Sequence, residues 1–156
     1  MKKMILVVLI AFCFVVGHVY SFDFHWKEVL KYPWGCTVDE FITSMNSMNR
    51  NVKHEHRAGD RYADAYLFEY TNSRAFVQFN FNKNGQLCSV FHLFDGEPDD
   101  YFYGFVTGTY AIDFGRPSVA NLPGSQLVIY NTDEYNILIT ATLTGWSISI
   151  RNKRYG

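Results

Sequence analysis

The chain has 156 residues, 48% of them hydrophobic and 18% aromatic, with 14 Lys+Arg against 15 Asp+Glu and a net charge of −1. That balance lacks the basic face that nucleic acid or anionic lipid demands, so neither is expected as a partner. The length suits one domain.

Lys2 and Lys3 precede an apolar run from Met4 to Val16, and Val19-Tyr20-Ser21 offers small or medium residues where a signal peptidase reads. A charged start, a short apolar middle and a small-residue end are the parts of a signal peptide. The run falls short of the roughly 20 residues of a membrane span. We therefore expect residues 1–21 to be a signal peptide cleaved after Ser21. Residues 22–156 would be a single secreted or periplasmic α+β domain, with no stable membrane insertion after cleavage. Cys13 follows bulky Phe12, where lipoprotein processing needs a small residue, so no lipid anchor is expected. Loss of Lys2 and Lys3 takes the net charge from −1 to −3. Cys36 and Cys88 remain. An even pair in an oxidising compartment reads as a disulfide, with two buried free thiols as the alternative.

Phe22 to Pro33 is aromatic and irregular, an extended lead-in or a short strand. Thr37 with Glu40 three residues on is a capping box, and Phe41, Ile42, Met45 and Met48 give one apolar stripe. The pattern predicts a helix over 38–49. Residues 50–63 are polar and without period, and read as a loop. Alternation predicts three strands: 65–71 with Tyr66, Phe68 and Tyr70 on one face, 74–81, and 86–94. Asn82-Lys83-Asn84-Gly85 between the last two is the clearest hairpin signal. Asp95-Gly96-Glu97-Pro98-Asp99-Asp100 suits a second helix start. Phe102, Phe105, Val106, Thr109 and Ile112 follow at helical spacing, and Gly115 and Pro117 stop the helix. After a loop, strands are expected over 126–130, 135–143 and 146–150, with a frayed basic tail from Arg151. The expected fold is therefore α+β: an antiparallel sheet of about six strands, in the order helix–three strands–helix–three strands, with two helices packed on one face.

Pro33-Trp34-Gly35-Cys36-Thr37-Val38-Asp39-Glu40-Phe41 resembles an opening in uncharacterised bacterial secreted proteins and lipoproteins, where Trp-Gly-x-Thr leads into a short acidic helix. Phe114-Gly115-Arg116-Pro117 resembles their second landmark, Tyr-Gly-x-Pro. The helix-then-meander layout is similar to the SmpA-like assembly lipoproteins and to the β-lactamase inhibitor protein fold. This chain departs from them in carrying Cys36 in place of a small uncharged residue and in lacking a lipid-anchor cysteine. The resemblance implies binding and not catalysis, and supplies no catalytic residues.

No motif for a cofactor or a catalytic triad stands out, so no cofactor is expected. His54-Glu55-His56 is the best metal candidate, since in an extended segment both imidazoles point the same way. Lys53, Arg57 and Arg61 surround the pair and repel a cation. Cys88 and His92 share a strand face but stand about 13 Å apart at Cα, too far for a dyad. The acids from Asp95 to Asp100 are accounted for by the helix start. What remains is an excess of aromatics over what a one-sided sheet must bury, and interface cores concentrate such side chains. The row Tyr66, Phe68 and Tyr70 is the expected binding surface of a non-catalytic protein–protein interaction module with a protein partner. A small apolar-ligand carrier is the first alternative, and a hydrolase or metalloenzyme with an unfamiliar site the second.

Overall fold

The structure is a computed structural model and describes residues 26–55, 64–69, 75–95, 100–142 and 145–156. The expected signal peptide over residues 1–21 lies outside them. No helix among the described residues is long and apolar enough to cross a membrane.

A 3-10 turn over Trp26–Lys31 leads in, and helix α1 spans Val38–Ser47. Its start is the expected capping box. The Glu40 backbone N–H donates to the Thr37 hydroxyl at 3.3 Å, and the Thr37 N–H donates to the Glu40 carboxylate at 2.8 Å. The helix stops two residues short of the expected end. Met48 caps it and Asn49 takes the left-handed conformation, φ 54, which asparagine tolerates. Four strands follow: β1 (Lys53–Glu55), β2 (Asp64–Glu69), β3 (Phe76–Phe81) and β4 (Leu87–Asp95). Helix α2 covers Asp100–Phe114. Four more strands complete the chain: β5 (Ser118–Leu122), β6 (Ser125–Asn131), β7 (Tyr135–Thr142) and β8 (Gly145–Asn152).

All eight strands form one antiparallel sheet in the order β1-β2-β3-β4-β8-β7-β6-β5. Two four-stranded meanders thus meet along β4 and β8, with β1 and β5 at the outer edges. This corrects the expected α+β fold of about six strands. Among the described residues the fold is mostly β, a single sheet of eight strands accompanied by two α-helices. Both added strands are edges. β1 reads Lys-His-Glu, three residues without an apolar position, and β5 reads Ser-Val-Ala-Asn-Leu between two prolines. Neither carries an alternation that marks a strand by itself. Each is recruited by a strong neighbour, β2 or β6, through backbone pairing.

The Asn82 hairpin forms where expected. Gly85 N–H donates to the Asn82 carbonyl at 2.9 Å, and the Asn82 side-chain oxygen accepts from Asn84 and Gln86 N–H. Only Gly85 has positive φ, 71°, and Asn84 does not. The turn is therefore the longer kind that ends in a left-handed glycine, not the two-residue kind in which both central residues are left-handed.

Register assigns side chains to faces. Tyr66, Phe79, Val90, Ile150, Ile137 and Tyr130 lie on one row across six strands, and the helices lie on that face. Phe41 of α1 is fully buried, with ring centroids 4.8 Å from Phe79, 5.4 Å from Phe81 and 5.7 Å from Tyr66. Tyr110 of α2 meets Tyr130 at 5.9 Å, and the Tyr130 hydroxyl donates to the Thr107 carbonyl. The lead-in lies on the same side, Tyr32 against His92 and Trp34 against Tyr135. Burial of these side chains, at about 1.5–3 kcal/mol each relative to exposure, is the main force holding helices to sheet.

The tail is not frayed. Lys153 N–H donates to the Glu134 carbonyl at 2.8 Å, the Asn82 side-chain amide donates to the Tyr155 carbonyl at 2.7 Å, and the Tyr155 ring lies over Gly35. A Cβ on Gly35 would come within 2.5 Å of that ring, and Gly35 has φ 81, so only glycine fits beneath it.

Candidate functional site

Of the row Tyr66, Phe68 and Tyr70, the first two lie on the helix-covered face, partly buried against the core. Tyr66 is wedged among Phe41, Phe81 at 5.6 Å and His54, whose ring stacks on it at 4.8 Å. Arg50 lies over the Phe68 ring at 5.8 Å. Burial and the acidic side chains of Asp64 and Asp39 raise the Tyr66 phenol above its ordinary pKa, so its hydroxyl stays protonated. Tyr70 lies outside the described residues.

His54 stands on edge strand β1, with its Nε2 2.7 Å from Asp64 Oδ1. Its neighbour Lys53 pairs with Glu69 at 2.6 Å. His56 falls outside the described residues, as do Glu97 and Asp99 of the acidic run. Among the described residues no three His, Cys, Asp or Glu side chains gather as a metal site would need.

Cys36 and Cys88 are free thiols and not the expected disulfide. Their chain segments do touch, since Leu87 N–H donates to the Cys36 carbonyl and Gly35 N–H to the Leu87 carbonyl, each at 2.9 Å. The side chains part company. Cys36 packs against the core of the helix-covered face, while the Cys88 thiol donates to the Asn80 carbonyl at 3.4 Å. Cys88 also sits where the β3–β4 register shifts: Asn80 pairs with Ser89 and Phe81 with Leu87, so Cys88 is skipped. Burial, then the negative Glu40, pushes Cys36 up to about 12; burial, partly offset by Arg151, pushes Cys88 up to about 11. Thiols so shifted are neutral and poor nucleophiles at any physiological pH.

His92 is in the central strand β4 and only 2% exposed. Its Nε2 lies 3.0 Å from the Tyr32 hydroxyl, and its ring is parallel to Phe94, which stacks on Trp146 at 3.9 Å. This buried pair locks the lead-in onto the sheet.

A different surface emerges at the far end of the sheet. Among the described residues, every exposed large hydrophobic except Leu30 lies on α2 or on β5, β6 and β7: Phe105, Ile112, Val119, Leu122, Ile129 and Leu138. Ile112 is 86% exposed, Val119 57% and Leu122 52%. From Pro117 to Ile150 the only charged residues are Asp133 and Glu134, both in the β6–β7 turn. On α2 the expected stripe is split. Val106 and Tyr110 face the core, whereas Phe105 and Ile112, two turns apart, form a second apolar stripe that faces water. Sequence periodicity merged the two stripes, because a helix apolar on two sides has no clear phase. The signal that finds this surface is the absence of charge across three consecutive strands. These side chains are spread over this end of the molecule: Leu122, Ile129 and Leu138 on the face away from the helices, Val119 on the helix-covered face, and Phe105 and Ile112 on the outer side of α2 beside exposed Asp113.

No known family model matches the chain, and no curated protein matches it. It is similar to the crystal structure of a DUF4309 family protein (YjgB) from Bacillus subtilis subsp. subtilis str. 168. The TM-score is 0.36 and the identity 12%, over 62% of this chain and 68% of that one. A likeness of that size carries no inference about this chain.

Proposed function

We propose that the protein is a non-catalytic protein–protein interaction module that acts outside the cytoplasm after removal of residues 1–21. Its contact surface is the end of the molecule made by the outer stripe of α2 and by the uncharged strands β5, β6 and β7. One observation carries the reading: the exposed large apolar side chains gather there, on strands without a single charged residue. Depletion of charge with enrichment of large apolar side chains is the composition of an interface core. Tyr66 and Phe68, on β2 towards the other edge of the sheet, pack against the core and lie apart from this surface.

Affinity capture from the native extracellular fraction tests the reading, with Ile112→Asp and Lys83→Asp compared against the unaltered protein. Both positions are exposed, so stability should stay within about 0.5 kcal/mol. Ile112→Asp should lower recovery of a captured protein about tenfold or more, as loss of an apolar anchor does, while Lys83→Asp leaves it unchanged. Equal recovery with both variants would contradict the assigned surface.

A further inference from the structure

We propose that the partner docks across the face of β6, β7 and β8 that points away from the helices and sets a carboxylate on Arg151, with an apolar side chain beside it on Leu138 and Ile129. The inference rests on the interaction reading above and names the chemistry of the partner: an extended acidic segment in which an Asp or Glu and an apolar residue share one face.

Arg151 is an uncompensated cation in the middle of the sheet. It lies on β8 between Ser89 of β4 and Asn136 of β7, on the face away from the helices. Its Nε is buried without a hydrogen-bond partner, and no other side-chain nitrogen or oxygen among the described residues is left so. Gly156 lies against that nitrogen but supplies no acceptor. Among the described residues no carboxylate pairs with Arg151. The neighbouring basic groups of the tail are engaged. Lys153 Nζ donates to Asn131 Oδ1 at 2.7 Å and to the Thr132 carbonyl, and Arg154 lies over the Tyr155 ring at 5.5 Å. A guanidinium drawn partly out of water with an unmet N–H carries a desolvation cost. A carboxylate offsets it, because its two oxygens match the guanidinium fork.

The occupant follows from charge complementarity and from the neighbours. On this face the strand residues around Arg151 are Ser89, Phe91, Ser149, Asn136 and Leu138, none of them charged. One unmatched guanidinium calls for one negative charge, which a carboxylate carries and a phosphate, at about −1.5 to −2, exceeds. Leu138 lies diagonal to Arg151, at about 7–8 Å for such a pair, and is itself paired with Ile129. Leu138 is 36% exposed and Ile129 37%, so both are within a partner's reach. Residues two apart in an extended chain share a face and stand about 7 Å from each other. An acid and an apolar residue at that spacing therefore reach Arg151 and Leu138 together. Leu138 and Ile129 already belong to the contact surface assigned above, so Arg151 extends that surface towards the centre of the sheet. A free small carboxylate and inorganic phosphate are the competing occupants.

The test titrates the purified protein, in the form its own cells accumulate, with the end-capped peptide Leu-Ser-Asp-Ser-Leu and with its Leu-Ser-Asn-Ser-Leu counterpart, and reads the Arg151 Nε–H signal by NMR. The Asp peptide should shift that signal saturably and bind at least about tenfold more tightly than the Asn peptide, since charge-assisted hydrogen bonds exceed neutral ones. Arg151→Gln should abolish the preference, and Arg151→Lys, which keeps the charge without the planar fork, should retain part of it. Absence of a saturable shift, equal binding of the two peptides by the parent protein, or a preference for Asp that survives Arg151→Gln would each overturn the proposal. Acetate or inorganic phosphate shifting the signal as tightly as the Asp peptide would overturn the acidic segment as occupant. Capture from the producing cells and their medium separates this proposal from the reading beneath it. Capture lost with Ile112→Asp but unchanged with Arg151→Gln would overturn the carboxylate contact and leave the interaction reading standing, whereas capture unchanged by Ile112→Asp would overturn that reading.

Discussion

Single residues decide whether this protein is held by covalent links or by packing, and Cys36 and Cys88 are the clearest case. An even pair suggested a bridge if the chain is exported, but Cys36 and Cys88 are separate thiols, each raised in pKa above the ordinary 9.0, mainly by burial. Denaturation without reductant should therefore release two titratable thiols per chain; none would restore the bridge. A pH dependence follows, with its sign. The folded chain holds the thiols neutral while the unfolded chain ionises them, so their contribution to stability is complete below pH 9 and is lost as pH rises towards 11 or 12. The buried phenol of Tyr110 is shifted in the same direction. Urea midpoints should fall on going from neutral to alkaline pH, and fall less in the Cys36→Ala, Cys88→Ala double variant. A flat profile in the parent protein would contradict thiol burial.

The secondary-structure elements show what local sequence can and cannot specify. The α1 start was legible because Thr37 and Glu40 close their hydrogen bonds within one turn. The Gly85 hairpin was legible because positive φ is a property of one residue. β1 and β5 were not, since their strand character comes from β2 and β6 and not from their own side chains. The partnership of β4 with β8, which builds the sheet, joins segments far apart in the chain and leaves no local mark. Alternation showed that Tyr66 and Phe68 share a face, but which face is covered depends on where Phe41 lands. Phe41 is the contact through which α1 holds β2 and β3. Phe41→Ala should cost about 3–5 kcal/mol, the usual range for a buried phenylalanine, whereas Thr37→Ala at the cap of the same helix should cost about 1 kcal/mol. Chemical denaturation measures both; equal costs would show that capping, not packing, holds α1.

At the scale of the whole molecule the two meanders are built alike but finished differently. The β1 edge is short, polar and ion-paired, and the β5 end is uncharged with apolar side chains exposed on both faces and on the adjoining helix. That asymmetry was partly legible, since the run from Pro117 to Ile150 is almost free of charge in the sequence itself. What the sequence concealed is that these strands lie side by side at an outer edge and that α2 turns Phe105 and Ile112 outward. The central claim is that this end is the contact surface, and photo-cross-linking tests it most directly. A photoreactive side chain is placed in turn at Ile112, Val119 and Leu138, and at Lys53, Glu69 and Lys83 on the other half, and the protein is irradiated in the cells that produce it and in their medium. Adducts of defined mass with a protein partner should form from the first three positions and none above background from the other three. Adducts confined to Lys53, Glu69 or Lys83 would contradict it.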